Sequence, residues 1–182
     1  NIHPCIGCVA CGYEGPCVQK DDNQQIREAI LGADMVVFAT PLYYYGMSAQ
    51  LKIVVDRFCA YNSSLHGKHM KSALLTVAWN ADDWTFEALE AHYKTLVRYC
   101  GFKDQGMVLG YGCGSPDMTK RSPYVEEAYQ MGKNLWCYNA ERGKALKDWK
   151  VITWMMILQF GWLLFWLPVW LPAMNDKNKK WI

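Results

Sequence analysis

Apolar and polar residues change period along the first 140 positions, and each change marks an expected element. Ile26, Ala29, Ile30 and Leu31 recur at the spacing of one helix face. Asp21 or Asp22 can cap that helix, and Gly32 stops it. Met35-Val36-Val37-Phe38-Ala39-Thr40 then runs apolar without alternation and is rich in β-branched residues, which predicts a strand covered on both faces and ended by Pro41. From Ser48, placed as an N-cap, to about Tyr61, the positions Leu51, Ile53, Val54, Val55 and Phe58 return to helical spacing.

The pattern then repeats. Ser72 to Ala78 reads as a second buried strand, and Trp84 to about Tyr99 as a helix closed by Gly101. Gln105 to Tyr111 forms a third strand, and Tyr124 to about Tyr138 a further helix beyond the loop at Ser115-Pro116-Asp117. Strands alternating with helices predict an α/β fold: an open parallel sheet with right-handed crossovers and helices on both faces. Such sheets bind ligands at the carboxyl ends of their strands, which points to the loops 41–47, 79–83 and 112–123. The first loop is the most unusual. Tyr43, Tyr44 and Tyr45 stand between Pro41, which stiffens the chain, and Gly46, which frees it, just ahead of a helix N-terminus. Flat rings there suit a flat ligand, although tyrosines in such a place also serve simply to cover a sheet edge.

Beyond residue 139 the composition shifts. Residues 140–150 are a charged linker, 151–173 are almost wholly apolar with no charge, and 174–182 form a polar tail. About twenty such apolar residues suffice to cross a bilayer as a helix, so 151–173 is expected to be a hydrophobic helix and a candidate membrane anchor on an otherwise cytoplasmic domain. The 182 residues suit one domain, residues 1–139, with this appendage. Nineteen Lys and Arg against 17 Asp and Glu give a net charge of +2 with no basic run, which excludes a nucleic-acid footprint.

The eight cysteines change the picture. Cys5, Cys8, Cys11 and Cys17 are spaced C-x2-C-x2-C-x5-C, with Gly7, Gly12 and Gly15 between them, so four thiols can converge on one centre. The spacing suits a cluster better than zinc, which more often takes two separated pairs, while free or redox-active thiols remain an open alternative. His3 is a further candidate ligand. Asp56 and Arg57 continue the second helix and read as surface or helix-pairing charges, so no general acid or base is assigned.

The run His3-Pro4-Cys5-Ile6-Gly7-Cys8-Val9-Ala10-Cys11, followed by Gly15-Pro16-Cys17-Val18-Gln19-Lys20-Asp21-Asp22, resembles the cysteine motif of iron-sulfur flavoproteins in the flavodoxin-like, NADPH-dependent FMN reductase superfamily. Ala39 to Lys52, followed by Asp56-Arg57-Phe58, is similar to the loop and helix with which that family cradles the flavin ring. With Gly110-Tyr111-Gly112-Cys113-Gly114 and the helix from Tyr124 to Lys133, the resemblance covers roughly residues 1–139.

The resemblance implies a flavodoxin-like fold and an electron-transfer oxidoreductase. Cys5, Cys8, Cys11 and Cys17 would bind a [4Fe-4S] cluster. Thr40, Pro41, Leu42, Tyr43, Tyr44, Tyr45, Gly46 and Met47 would contact FMN, with Trp79 and Asn80 near the ring. It also implies NAD(P)H as donor, a redox partner or small-molecule acceptor, and a homo-oligomer. Relatives of this type begin with a strand and a Ser/Gly-rich phosphate loop, and a second strand precedes the cysteines. Here the cysteine loop comes first, so the expected sheet lacks its first strands, as a fragment of a longer protein would. The competing expectation is a non-catalytic module that holds zinc, or bare thiols, and has lost flavin.

Overall fold

The computed structural model describes residues 1–140 and 151–154, with side chains as far as Leu135. Helix α1 (Asn23–Gly32) leads into strand β1 (Met35–Pro41), then α2 (Ala49–Asp56), a 3-10 turn (Arg57–Tyr61) and α3 (Asn62–Lys68). Strand β2 (Lys71–Val77), α4 (Glu87–Cys100), β3 (Lys103–Gly110), α5 (Pro116–Arg121) and α6 (Tyr124–Ala140) follow, and β4 (Val151–Trp154) comes last. The sheet runs β3-β2-β1-β4, every neighbouring pair parallel.

The unbroken apolar run of β1 is explained by burial on both sides. Val36 and Phe38 join Ile26 and Ile30 of α1, Leu51 and Val54 of α2, Leu65 of α3 and Leu89 and Tyr93 of α4 in one core. Met35, Val37 and Ala39 face the other way, with Ala73 and Leu75 of β2, Val108 of β3 and Ala128 of α6. The α/β sheet with helices on both faces is therefore as expected.

Local signals set the boundaries with mixed success. Ser48 caps α2, its hydroxyl accepting from the Leu51 amide at 3.3 Å. Gly101 ends α4 at φ 66°. At α1 the side chain of Asp22 makes no cap bond, and Asp21 accepts from the Asn23 amide instead at 3.1 Å. The single helix expected from Ser48 to Tyr61 tightens at Arg57 into 3-10 geometry. Helix α4 begins at Glu87 rather than Trp84, because Thr85 turns back onto the Asp82 carbonyl at 3.1 Å.

The apolar tail departs most from expectation. Val151-Ile152-Thr153-Trp154, expected to open a hydrophobic helix, forms β4 and pairs with Met35 to Phe38 of β1. Short apolar runs do not distinguish strand from helix, and the edge of β1 offers unpaired amides and carbonyls that a strand satisfies. The rest of the expected helix lies outside the described residues. Among the described residues no helix is long and apolar enough to cross a membrane.

Candidate functional site

The loops after β1, β2 and β3 meet at one end of the sheet. Strand β1 passes through Pro41, and Leu42 still donates to Val77 of β2 at 2.9 Å. The chain then reverses: the Tyr43 amide donates to the Gly46 carbonyl at 3.0 Å, and the Gly46 amide returns to Tyr43 at 3.1 Å. The two residues inside this turn, Tyr44 and Tyr45, have φ of 46° and 63°. Gly46, expected to supply the freedom, has no positive φ, and the strain falls on the tyrosines. Two-residue turns of this kind ordinarily use Asn and Gly, since side chains other than glycine are disfavoured at positive φ.

The strained turn displays its rings. Tyr44 is fully exposed, and Tyr43 is half exposed. Tyr45 lies against Trp84 of the next loop, with ring centroids 5.0 Å apart. Trp79 is 73% exposed and covers Gly114, where a Cβ atom would come within 1.7 Å of the indole. Ala78 donates to the Gly110 carbonyl at 2.9 Å and accepts from Cys113 at 2.7 Å, zipping the β2 and β3 loops together. Asn80 folds its own turn, its side-chain oxygen taking the Ala81 amide at 2.9 Å. The outcome is a rim of exposed aromatics, Tyr43, Tyr44, Tyr45, Trp79 and Trp84, built from two loops and backed by a third.

Not every expected flavin contact faces this rim. Thr40 is buried: its hydroxyl donates to the Pro41 carbonyl and accepts from the Ser48 amide, each at 2.9 Å, so it ties the loop to the start of α2. Met47 is buried in the core. Trp84, which helical spacing placed inside α4, belongs to the rim. Its signal in the sequence was its place in a loop at a strand's carboxyl end.

The cysteine loop lies at the other end of α2, which rises about 12 Å over its eight residues. Gly7, Val9, Gly12 and Tyr13 all have positive φ and coil the loop back on itself. Cys5 and Cys8 are exposed, Cys11 and Cys17 are half-buried, and none of the described cysteines forms a disulfide. A fifth thiol joins them. Cys11 Sγ lies 3.9 Å from the carbonyl oxygen of Cys59 in the 3-10 turn. Burial raises the Cys59 thiol pKa, and its neighbours Cys11, Cys5 and Cys17 add to the rise. The donor set suits soft metal ligation. Even so, among the described residues no three Cys, His, Asp or Glu side chains stand in metal-holding geometry, so closing on a metal would reshape the loop.

Arg57, read from sequence as a surface or helix-pairing charge, is 1% exposed. Its guanidinium donates to both oxygens of Asp21, at 2.7 and 3.0 Å, and to the His3 carbonyl at 2.7 Å. Asp21 also accepts from the His3 amide at 3.0 Å. Burial alone would raise the Asp21 pKa, but the Arg57 fork and the two amides outweigh it and bring it from 3.8 down to about 2. Arg57 stands three residues past buried Val54, on the apolar stripe of α2, and that spacing was the signal for its burial. Asp56, by contrast, is a surface charge, paired with Lys52 at 2.5 Å.

Known proteins resemble this chain in sequence over part of its length. A family model described as a flavodoxin-like fold matches residues 12–131. An iron-sulfur flavoprotein of Archaeoglobus fulgidus is 28% identical over 140 residues, covering 71% of this chain and 62% of that protein. An iron-sulfur flavoprotein of Methanocaldococcus jannaschii is 43% identical over 57 residues, 31% of this chain and 30% of that one. A Bacillus subtilis protein whose name describes an NAD(P)H-dependent FMN-containing oxidoreductase is 28% identical over 121 residues, covering 63% and 67% of the two chains. The chain thus spans less than two thirds of the length of the Archaeoglobus relative.

Proposed function

The chain belongs to the flavodoxin-like fold family, and from that premise we propose that it is a flavin-linked redox protein. In this reading an FMN ring lies on the aromatic rim and the cysteine loop holds a [4Fe-4S] cluster. The observation that carries it is the Tyr44-Tyr45 turn. Non-glycine residues at positive φ cost about 1–3 kcal/mol each, and such strain clusters at ligand sites. Here it stands at the carboxyl ends of parallel strands, where open α/β sheets bind ligands.

When bound, a flavin takes up and gives out electrons singly or in pairs and a cluster passes them singly, which is the chemistry the two groups would supply. The chain's own part is placement. Tyr43, Tyr44, Tyr45 and Trp79 offer flat apolar faces that seat a ring and keep water from one side of it. Thr40, Pro41, Leu42, Gly46 and Met47 fix the loop that carries them, and Asn80 shapes the loop that carries Trp79. Cys5, Cys8, Cys11 and Cys17 would hold the iron, with Cys59 beside them. NAD(P)H serves as the donor, and a redox partner or small molecule as the acceptor.

The test is the chain prepared without oxygen and titrated with FMN and riboflavin, alongside iron, sulfide and zinc analysis. Quenched flavin fluorescence with about four irons per chain is expected. Failure of both flavins to bind overturns the flavin reading. One zinc with no iron overturns the cluster and leaves a structural zinc module.

A further inference from the structure

The cysteine loop has few apolar anchors. Ile6 and Val9 are exposed, and only Ile2, Cys11 and Cys17 of the first seventeen residues pack against the core. What fastens it is polar. Arg57 spans its two ends, donating to the His3 carbonyl just before Cys5 and to Asp21 just after Cys17. Asp21 closes the ring by taking the His3 amide, and Gln19 donates to the Pro4 carbonyl at 3.0 Å. Both charged side chains are 1% exposed, so this tether is shielded from water. Burial alone would lower the Arg57 pKa, but the hydrogen bonds and charge of Asp21 outweigh it and raise it.

We propose that the Arg57–Asp21 pair is a buried latch that holds the two ends of the cysteine loop together and so orders its four thiols ahead of metal binding. The latch stands on the hydrogen bonds alone, and its bearing on metal rests on the cluster reading above. Arg57 is thus a positioning residue, acting through the loop.

The test compares the full chain with Arg57→Met, Arg57→Lys and the double variant Arg57→Met/Asp21→Asn, which buries no uncompensated charge. Amide hydrogen exchange is followed on the chain before iron loading, and iron content after anaerobic reconstitution. In the double variant, amides between His3 and Cys17 should exchange about tenfold faster or more, while those of β1 and β2 change little. Iron content should fall, and Arg57→Lys should not restore the loop protection, since it keeps the charge and loses the fork. Unchanged loop exchange overturns the latch. Equal acceleration throughout the domain also overturns it, in favour of an ordinary core ion pair. A parent chain that takes up no iron refutes the cluster reading, while hydrogen exchange still decides the latch.

Discussion

Replacing Gly114 with alanine separates ligand contact from fold stability. The added Cβ would stand 1.7, 2.4 and 2.5 Å from three atoms of the Trp79 ring, where ordinary contact needs at least 3.4 Å, so the indole must move by about 2 Å. Gly114 has no positive φ, so alanine meets no backbone strain. Trp79 is 73% exposed and has space to swing outward. Stability should therefore change by less than about 1 kcal/mol in urea unfolding. Flavin affinity should fall about threefold to tenfold, since one aromatic contact contributes about 0.5–1.5 kcal/mol. The assay is flavin fluorescence titration on the chain, on Gly114→Ala, on Trp79→Ala and on the double variant. If Gly114→Ala acts only through the indole, it adds nothing once Trp79 is gone. Unchanged affinity in Gly114→Ala would refute the contact between Trp79 and the ring. A further loss in the double variant would refute the route through Trp79.

The latch gives an acid-stability prediction whose sign follows from Asp21. Its pKa is lowered from 3.8 to about 2 in the fold, which corresponds to about 2 kcal/mol of stability, present above about pH 4 and lost as the pH falls toward 2. Urea midpoints for the chain and for Arg57→Met/Asp21→Asn should converge across that window, and parallel curves would refute the assignment. Tyr93→Phe removes the hydroxyl that donates to Asp104 at 3.0 Å and meets the buried Ser72 hydroxyl at 3.1 Å. That change should cost about 1–3 kcal/mol in urea, and a neutral result would mean that Ser72 finds another partner. Ser48→Ala loses the cap of α2 and should lower stability by about 1 kcal/mol with little change in flavin affinity, because alanine keeps the backbone amide that ties the tyrosine turn to Thr40. Thermal unfolding and flavin titration together check it; unchanged stability would refute the cap, and lost affinity would refute the reliance on the amide alone.

The amphipathic periods of the helices and the uniform apolar run of β1 were legible because burial selects residue type at every position it touches. The loops at the carboxyl ends were legible for the same reason, since the order of elements implies a parallel sheet. Helix α5 was missed although Ser115 caps it and Pro116 sits at its first turn, because six residues are too few to show a period. The roles of Thr40 and Met47 were misplaced because a motif records residue types and leaves open which way each side chain faces.

By itself, then, the sequence determined the succession of helices and strands, the thiol spacing and the aromatic loop, all of which are local patterns. Only the tertiary structure decided what neutralises the buried Arg57, because its partner Asp21 lies 36 positions away and no local period encodes that pairing. It also decided that Tyr44 and Tyr45, rather than Gly46, carry the positive φ, which the bonds between Tyr43 and Gly46 impose. And it set Val151–Trp154 on the edge of β1 as a strand, because unpaired backbone groups more than a hundred residues away compete with the helix for that segment.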